Sequence, residues 1–173
     1  MSNFDFILKN EIFKTFAEAS VEAEKSIAVT NVSCTIMCRR ALELAVKWLY
    51  ANDQELTIPY QDNLSSLVYD INFKNMIDEN IFKEITYIIK LGNFSVHSNK
   101  KVTRDEAVIC LKYLFDFSLL QNIYLQKLYF LFYCFHLEIV KLLNFQIHLL
   151  ALYLGLEIIY HTNPSPKMLF PLS

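Results

Sequence analysis

Two glycines in 173 residues, Gly92 and Gly155, are the tightest constraint on this chain. A phosphate-binding loop needs several glycines so that its backbone can approach phosphate closely. Two glycines 63 residues apart supply neither G-x-x-x-x-G-K nor G-x-G-x-x-G, so nucleotide hydrolysis by this chain alone is excluded. Apolar residues at helical spacing fill most of the sequence instead. "FKTFAEASVEAEKSIAV" sets Phe13, Phe16, Ala17, Ser20, Val21, Glu24 and Ile27 on one stripe, interrupted by Ser20 and Glu24. "CTIMCRRALELAVKWLY" sets Ile36, Met37, Arg40, Ala41, Leu44, Ala45, Trp48 and Leu49 on a second. The pattern predicts an all-α fold that begins with a two-helix hairpin, with Thr30 or Asn31 capping the second helix.

"ANDQELTIPYQDN" reads as a loop, since Pro59 pushes Ile58 out of helical geometry. Short helices are expected at "LSSLVYDI" and "ENIFKEITYIIKL", the second closed by Gly92 in a left-handed cap. "TRDEAVICLKYLFDF" opens another, because Thr103 and Glu106 fit the S/T-x-x-E capping box. The intervening "KLGNFSVHSNK", residues 90–100, is thus expected to start with a helix stop and continue as a polar linker.

Elimination removes most chemistry. A net charge of -2 and a pI near 6.1 give no broad attraction to nucleic acid. Restriction-type nucleases commonly hold Mg²⁺ with an acidic residue two positions before a lysine, and no lysine here has one. Cys34 and Cys38 stand apart from His97, and H-E-x-x-H is absent, so no metal site is expected. His136, His148 and His161 are spaced by 12 and 13 residues and match no ligand pattern. Cys34, Cys38, Cys110 and Cys134 all lie in apolar runs and read as reduced core thiols of a cytoplasmic protein. "MSNFDFILKN" has neither the basic region nor the apolar stretch of a signal peptide. No cofactor is expected.

Four stretches, "CRRALELAVKWLY", "PYQDNLSSLV", "KLGNFSVHSNK" and "VTRDEAVICLKYLFDF", together resemble the helical domain of unknown function at the N-terminus of type I restriction enzyme R subunits and related helicase-nuclease proteins. The resemblance covers residues 1–117. That domain is similar in turn to the HEPN superfamily, helical bundles whose RNase members use an arginine followed about five residues later by a histidine. In such a site histidine is the acid or base on the RNA 2′-hydroxyl and phosphate, and arginine stabilises the developing charge. Here His97 matches and the arginine position holds Gly92. Lys90 cannot mimic a bidentate guanidinium, and Arg39 or Arg40 could substitute only if the second helix packs beside this segment.

The residues also have an architectural reading. Asn93 would hydrogen-bond backbone groups past a Gly92 cap, while His97 would reach a carbonyl or a carboxylate such as Glu43, with Phe94 and Val96 packed inward. Gly92, Asn93, His97, Thr103 and Glu106 would then form a latch. Arg39, Arg40, Lys100, Lys101 and Arg104 are the candidates for contact with phosphates, which they would meet without reading sequence.

Charge falls abruptly near residue 118: 29 charged residues precede residue 119 and five follow. Residues 142–156 carry no charge but include Asn144, Gln146 and His148, shorter and more polar than the roughly 20 apolar residues of a membrane span. The expected organisation is an HEPN-like bundle over residues 1–117 and an apolar helical extension over 118–173. The resemblance stops close to Phe117, where the composition changes, and together they imply a frameshifted or truncated copy of a longer R subunit. Resemblance implies a non-catalytic accessory domain whose partners are the rest of a restriction complex or its DNA. The alternatives are a small HEPN-type ribonuclease or toxin-like protein using His97, as a homodimer sharing its site, and a membrane-attached scaffold held through residues 128–160.

Overall fold

A computed structural model describes residues 2–97 and 101–123. The apolar extension beyond residue 123, with the stretch 128–160, Cys134 and the three later histidines, and Lys100 lie outside the described residues. Among the described residues there is no strand, so the all-α expectation holds. The elements are α1 (Asp5–Leu8), a 3-10 turn (Glu11–Phe13), α2 (Lys14–Ser26), α3 (Asn31–Asn52), α4 (Leu64–Tyr69), α5 (Ile71–Met76) and α6 (Glu79–His97). A further helix, α7, runs from residue 104 to residue 123, the last one described. No helix among the described residues is long and apolar enough to cross a membrane.

The α2 stripe folds as its spacing predicts, with Phe13, Phe16, Ala17, Ser20 and Val21 buried. Ser20 satisfies its hydroxyl by donating to the Phe16 carbonyl at 2.8 Å. Glu24, the other interruption, is an anchor: its carboxylate accepts from the Ser2 hydroxyl, the Asn3 side-chain amide and the Asn3 backbone N–H. It thereby holds the start of the chain, where Phe4 and Ile7 enter the core.

Helix α3 is the central element. Thr30 caps it, its hydroxyl accepting from the Ser33 N–H at 2.9 Å. Its buried face is Cys34, Thr35, Cys38, Ala41, Leu42, Ala45, Val46, Leu49 and Tyr50. This face is broader than the expected stripe and rotated from it: Ile36 and Met37 are only half-buried, and Arg40 is exposed. The rotation follows from surroundings, because α3 packs against α2, α4 and α6 and is bonded to α7 as well. Tyr50 donates its hydroxyl to the Leu67 carbonyl at 2.8 Å, tying α3 to α4. Burial, then the charge of Asp70, pushes the Tyr50 phenol up to about 12, so it remains a donor.

One break is not foreseen in the sequence. "LSSLVYDI" reads as one helix, yet Asp70 adopts an extended ψ of 143° and divides α4 from α5. Its carboxylate accepts from the N–H groups of Asn72 and Phe73, which supplies the cap that starts α5. Phe73 is thereby sunk in the core and stacks on Tyr50 with ring centroids 6.1 Å apart.

Helix α7 lies parallel to α3, in a register fixed at both ends. Asn31 donates to the Val102 carbonyl at 3.0 Å, and Gln121 donates to the Ala45 carbonyl at 3.1 Å. The helix continues through residue 117, since Phe117, Ser118 and Gln121 are buried in the same core. The compact unit containing them extends from Met1 to Leu125.

Candidate functional site

Gly92 does not stop a helix. It is a buried interior residue of α6, which continues to His97. The expected left-handed cap fails because a tertiary contact outweighs the local stop signal. A Cβ at position 92 would lie 2.7 Å from Arg39 Cβ and 2.8 Å from Arg39 Cδ. Glycine is therefore the notch through which α3 and α6 approach, and Arg39 lies across it.

The latch falls with the cap. Asn93 is an exposed helical residue and is not past any helix end, and His97 is exposed as well. Phe94 and Val96 do not pack inward, being 38% and 55% exposed. Helical geometry aims Gly92 and Ser95 at α3, so Ser95 takes the inward position. Its hydroxyl lies 2.7 Å from that of Thr35, which is buried. Thr35 also donates to the Val32 carbonyl at 2.9 Å and Ser95 to the Leu91 carbonyl at 2.7 Å. Two hydroxyl protons thus serve three contacts, a small network that fixes the α3–α6 register. Glu43, the carboxylate offered to His97, is paired with Lys47 at 3.0 Å.

The other half of the motif folds as expected. The Thr103 hydroxyl accepts from the Glu106 N–H at 3.3 Å, and the Glu106 carboxylate accepts from the Thr103 N–H at 2.8 Å and its hydroxyl at 2.9 Å. Those bonds hold the Glu106 carboxyl below its ordinary value.

The basic candidates separate into groups. Lys101 and Arg104 are exposed and together line an open groove of about 430 Å³. Its other walls are the α2–α3 connection, from Ile27 to Thr30, and the start of α3 at Asn31 and Val32, with Val102 beneath. Arg40 is exposed on α3 and Arg39 is half-buried at the Gly92 notch; neither lines that groove. Arg39 Nε is buried without a hydrogen-bond partner, so the guanidinium is held by packing at its base.

Sequence reasoning missed one carboxylate. Glu84 on α6 has a buried, unpartnered Oε2. Burial, followed by repulsion from Asp116 on α7, raises its carboxyl above the ordinary value. Only the α6–α7 packing reveals it. Among the described residues no group of three or more His, Cys, Asp or Glu side chains is placed to hold a metal ion.

No curated protein and no solved structure matches the chain. A family profile does match, over residues 21–129, a span that starts within α2 and includes the notch, the capping box and the groove. That family is described as "Domain of unknown function (DUF4145)". Because the match covers more than half of the 173 residues, the chain belongs to the DUF4145 family.

Proposed function

We propose that this chain is a non-catalytic accessory module of the type I restriction class, supporting the nucleic-acid or protein contacts of a DNA translocase-nuclease. The observation that carries this reading is the Gly92 notch. An HEPN-type ribonuclease pattern would set arginine at position 92, and even a Cβ there would stand 2.7 Å from Arg39 Cβ. The segment is thus built for helix packing, with Asn93 and His97 left on the exposed side. Lys101 and Arg104, side by side on the groove, are the contact residues of this reading.

The test is binding of a labelled DNA duplex to the full chain, followed by fluorescence anisotropy over a salt series. Replacing Lys101 and Arg104 with alanine should weaken binding across sequences and lower the salt slope by about 2, one for each cation withdrawn from the phosphate backbone. An unchanged affinity and slope would remove the groove from this role.

A second reading, an HEPN-type ribonuclease, is favoured by one contact. Arg39 packs on Gly92, so α3 brings a guanidinium to the helix that carries His97. In that reading Arg39 supplies the charge that position 92 cannot. RNA cleavage that disappears in Arg39→Lys, with folding intact, would support it; cleavage indifferent to that change would dismiss it.

A further inference from the structure

The charges of the bundle are sorted along the chain. From Trp48 to Phe73 there are four carboxylates, Asp53, Glu55, Asp62 and Asp70, and no lysine, arginine or histidine. Residues 26–42 and 85–104, which contain every wall of the groove, carry no carboxylate. Of the carboxylates just beyond them, Glu24 is taken by Ser2 and Asn3 and Glu106 by its capping box. Lys101 and Arg104 form no ion pair among the described residues, and neither do Glu55 and Asp62.

The acidic stretch also presents a knob. Between α3 and α4 the chain is pinned twice: Leu56 is buried in the core, and the Asn63 side chain caps α4 by accepting from the Ser66 N–H at 3.0 Å. Ile58 and Tyr60 stand exposed between these anchors, with Pro59 restricting the backbone that joins them. Glu55 and Asp62, both exposed, flank them. A tyrosine on a pinned loop loses little freedom on docking. The groove is its counterpart, with apolar walls at Ile27, Val29 and Val32, cations at Lys101 and Arg104, and a space of about 430 Å³ that admits a phenol ring. The two surfaces cannot meet within one chain. The groove lies at the start of α3 and the loop follows its end, and the 22 residues of that helix span about 33 Å.

We propose that the groove of one chain receives the Tyr60 loop of a second copy, with Glu55 and Asp62 meeting Lys101 and Arg104 across the contact. The phenol and Ile58 supply the apolar anchor, and the charges select the loop and its orientation. The contact joins two different surfaces, so its repetition builds head-to-tail assemblies. A filled groove withholds Lys101 and Arg104 from phosphates, yet the pairing needs no nucleic acid and stands or falls apart from the accessory reading.

Sedimentation velocity of the full chain over a wide concentration range, without nucleic acid, tests this. The average mass should climb above 20.3 kDa with concentration and fall back with added salt. Tyr60→Ala should weaken association about tenfold or more. Two charge-reversed chains decide the pairing. One carries Lys101→Glu and Arg104→Glu, the other Glu55→Lys and Asp62→Lys; all four sites are exposed, so circular dichroism should show both chains folded. Each alone should remain a monomer. An equal mixture should associate, because every loop then finds a groove of opposite charge on the other chain. An unmodified chain that stays monomeric throughout, association that survives in either reversed chain alone, or a mixture that stays monomeric would each overturn the proposal.

Discussion

Gly92→Ala separates a helix-stop glycine from a packing glycine. In an open helix interior, alanine is about 1 kcal/mol better than glycine. At position 92 the added Cβ would lie 2.7 Å from Arg39 Cβ, 2.8 Å from Cδ and 3.2 Å from Cγ, where carbon atoms prefer about 3.5–4.0 Å. The Cδ contact can be relieved by a rotamer change. The Cβ contact cannot, because that atom is fixed to the α3 backbone, so the helices must part by several tenths of an ångström. Such overpacking costs about 1–3 kcal/mol, and parting also stretches the Thr35–Ser95 contact, now 2.7 Å, at about 1 kcal/mol. Set against the propensity gain, the net loss is about 1–3 kcal/mol. Urea denaturation of the full chain followed by far-ultraviolet circular dichroism reads it as a lower midpoint. Arg39→Ala in the same chain should recover only part of the loss, since its own Cβ remains. Asn93→Ala, exposed on the same turn, should instead gain a few tenths of a kcal/mol. Stabilisation by Gly92→Ala of about 1 kcal/mol would refute the notch.

Thr103→Ala removes the cap of α7 and should cost about 1 kcal/mol, read as a lower urea midpoint and faster amide exchange in residues 104–107; unchanged exchange would deny the cap its role. The Glu106 carboxyl is held low in the folded state, so its contribution is present above the unfolded value and lost as pH falls through the folded one. Glu84 has the opposite sign: its carboxyl is raised on folding, so the folded state binds the extra proton and stability declines as pH rises through the folded value. Glu84→Gln should therefore raise the thermal midpoint at pH 7, with the gain shrinking as the pH falls through the raised folded value and gone below the ordinary carboxylate range; a gain constant as the pH falls through that window would point to packing alone.

Local chemistry is legible in the sequence, and contact chemistry is not. The Thr103–Glu106 box, the Thr30 cap and the α2 stripe each depend on residues within a few positions of one another, and each folds as read. Gly92 misleads because the residue that decides it, Arg39, is 53 positions away. The α3 face is misplaced by its stripe for a related reason: a periodic stripe describes a helix with one neighbour, and α3 has several, which draw in Cys34, Cys38, Leu42 and Val46. The Asp70 break is legible in hindsight, since aspartate is a strong capping residue, but "LSSLVYDI" carries enough apolar period to hide it. In the candidate site, the neighbourhood of Lys101 and Arg104 follows from their spacing. That the groove beside them is walled by the α2–α3 connection depends on the Asn31–Val102 bond, which no local pattern announces.

The reading of this chain as an accessory module stands most directly on histidine-dependent turnover. Purified full chain and a His97→Ala variant are incubated with labelled single-stranded RNA, and cleavage is followed over time. The account predicts that the two time courses coincide, with the substitution leaving the thermal midpoint unchanged because His97 is exposed. Cleavage by the unmodified chain that disappears in His97→Ala, with folding intact, would contradict it and make the exposed end of α6 an active site.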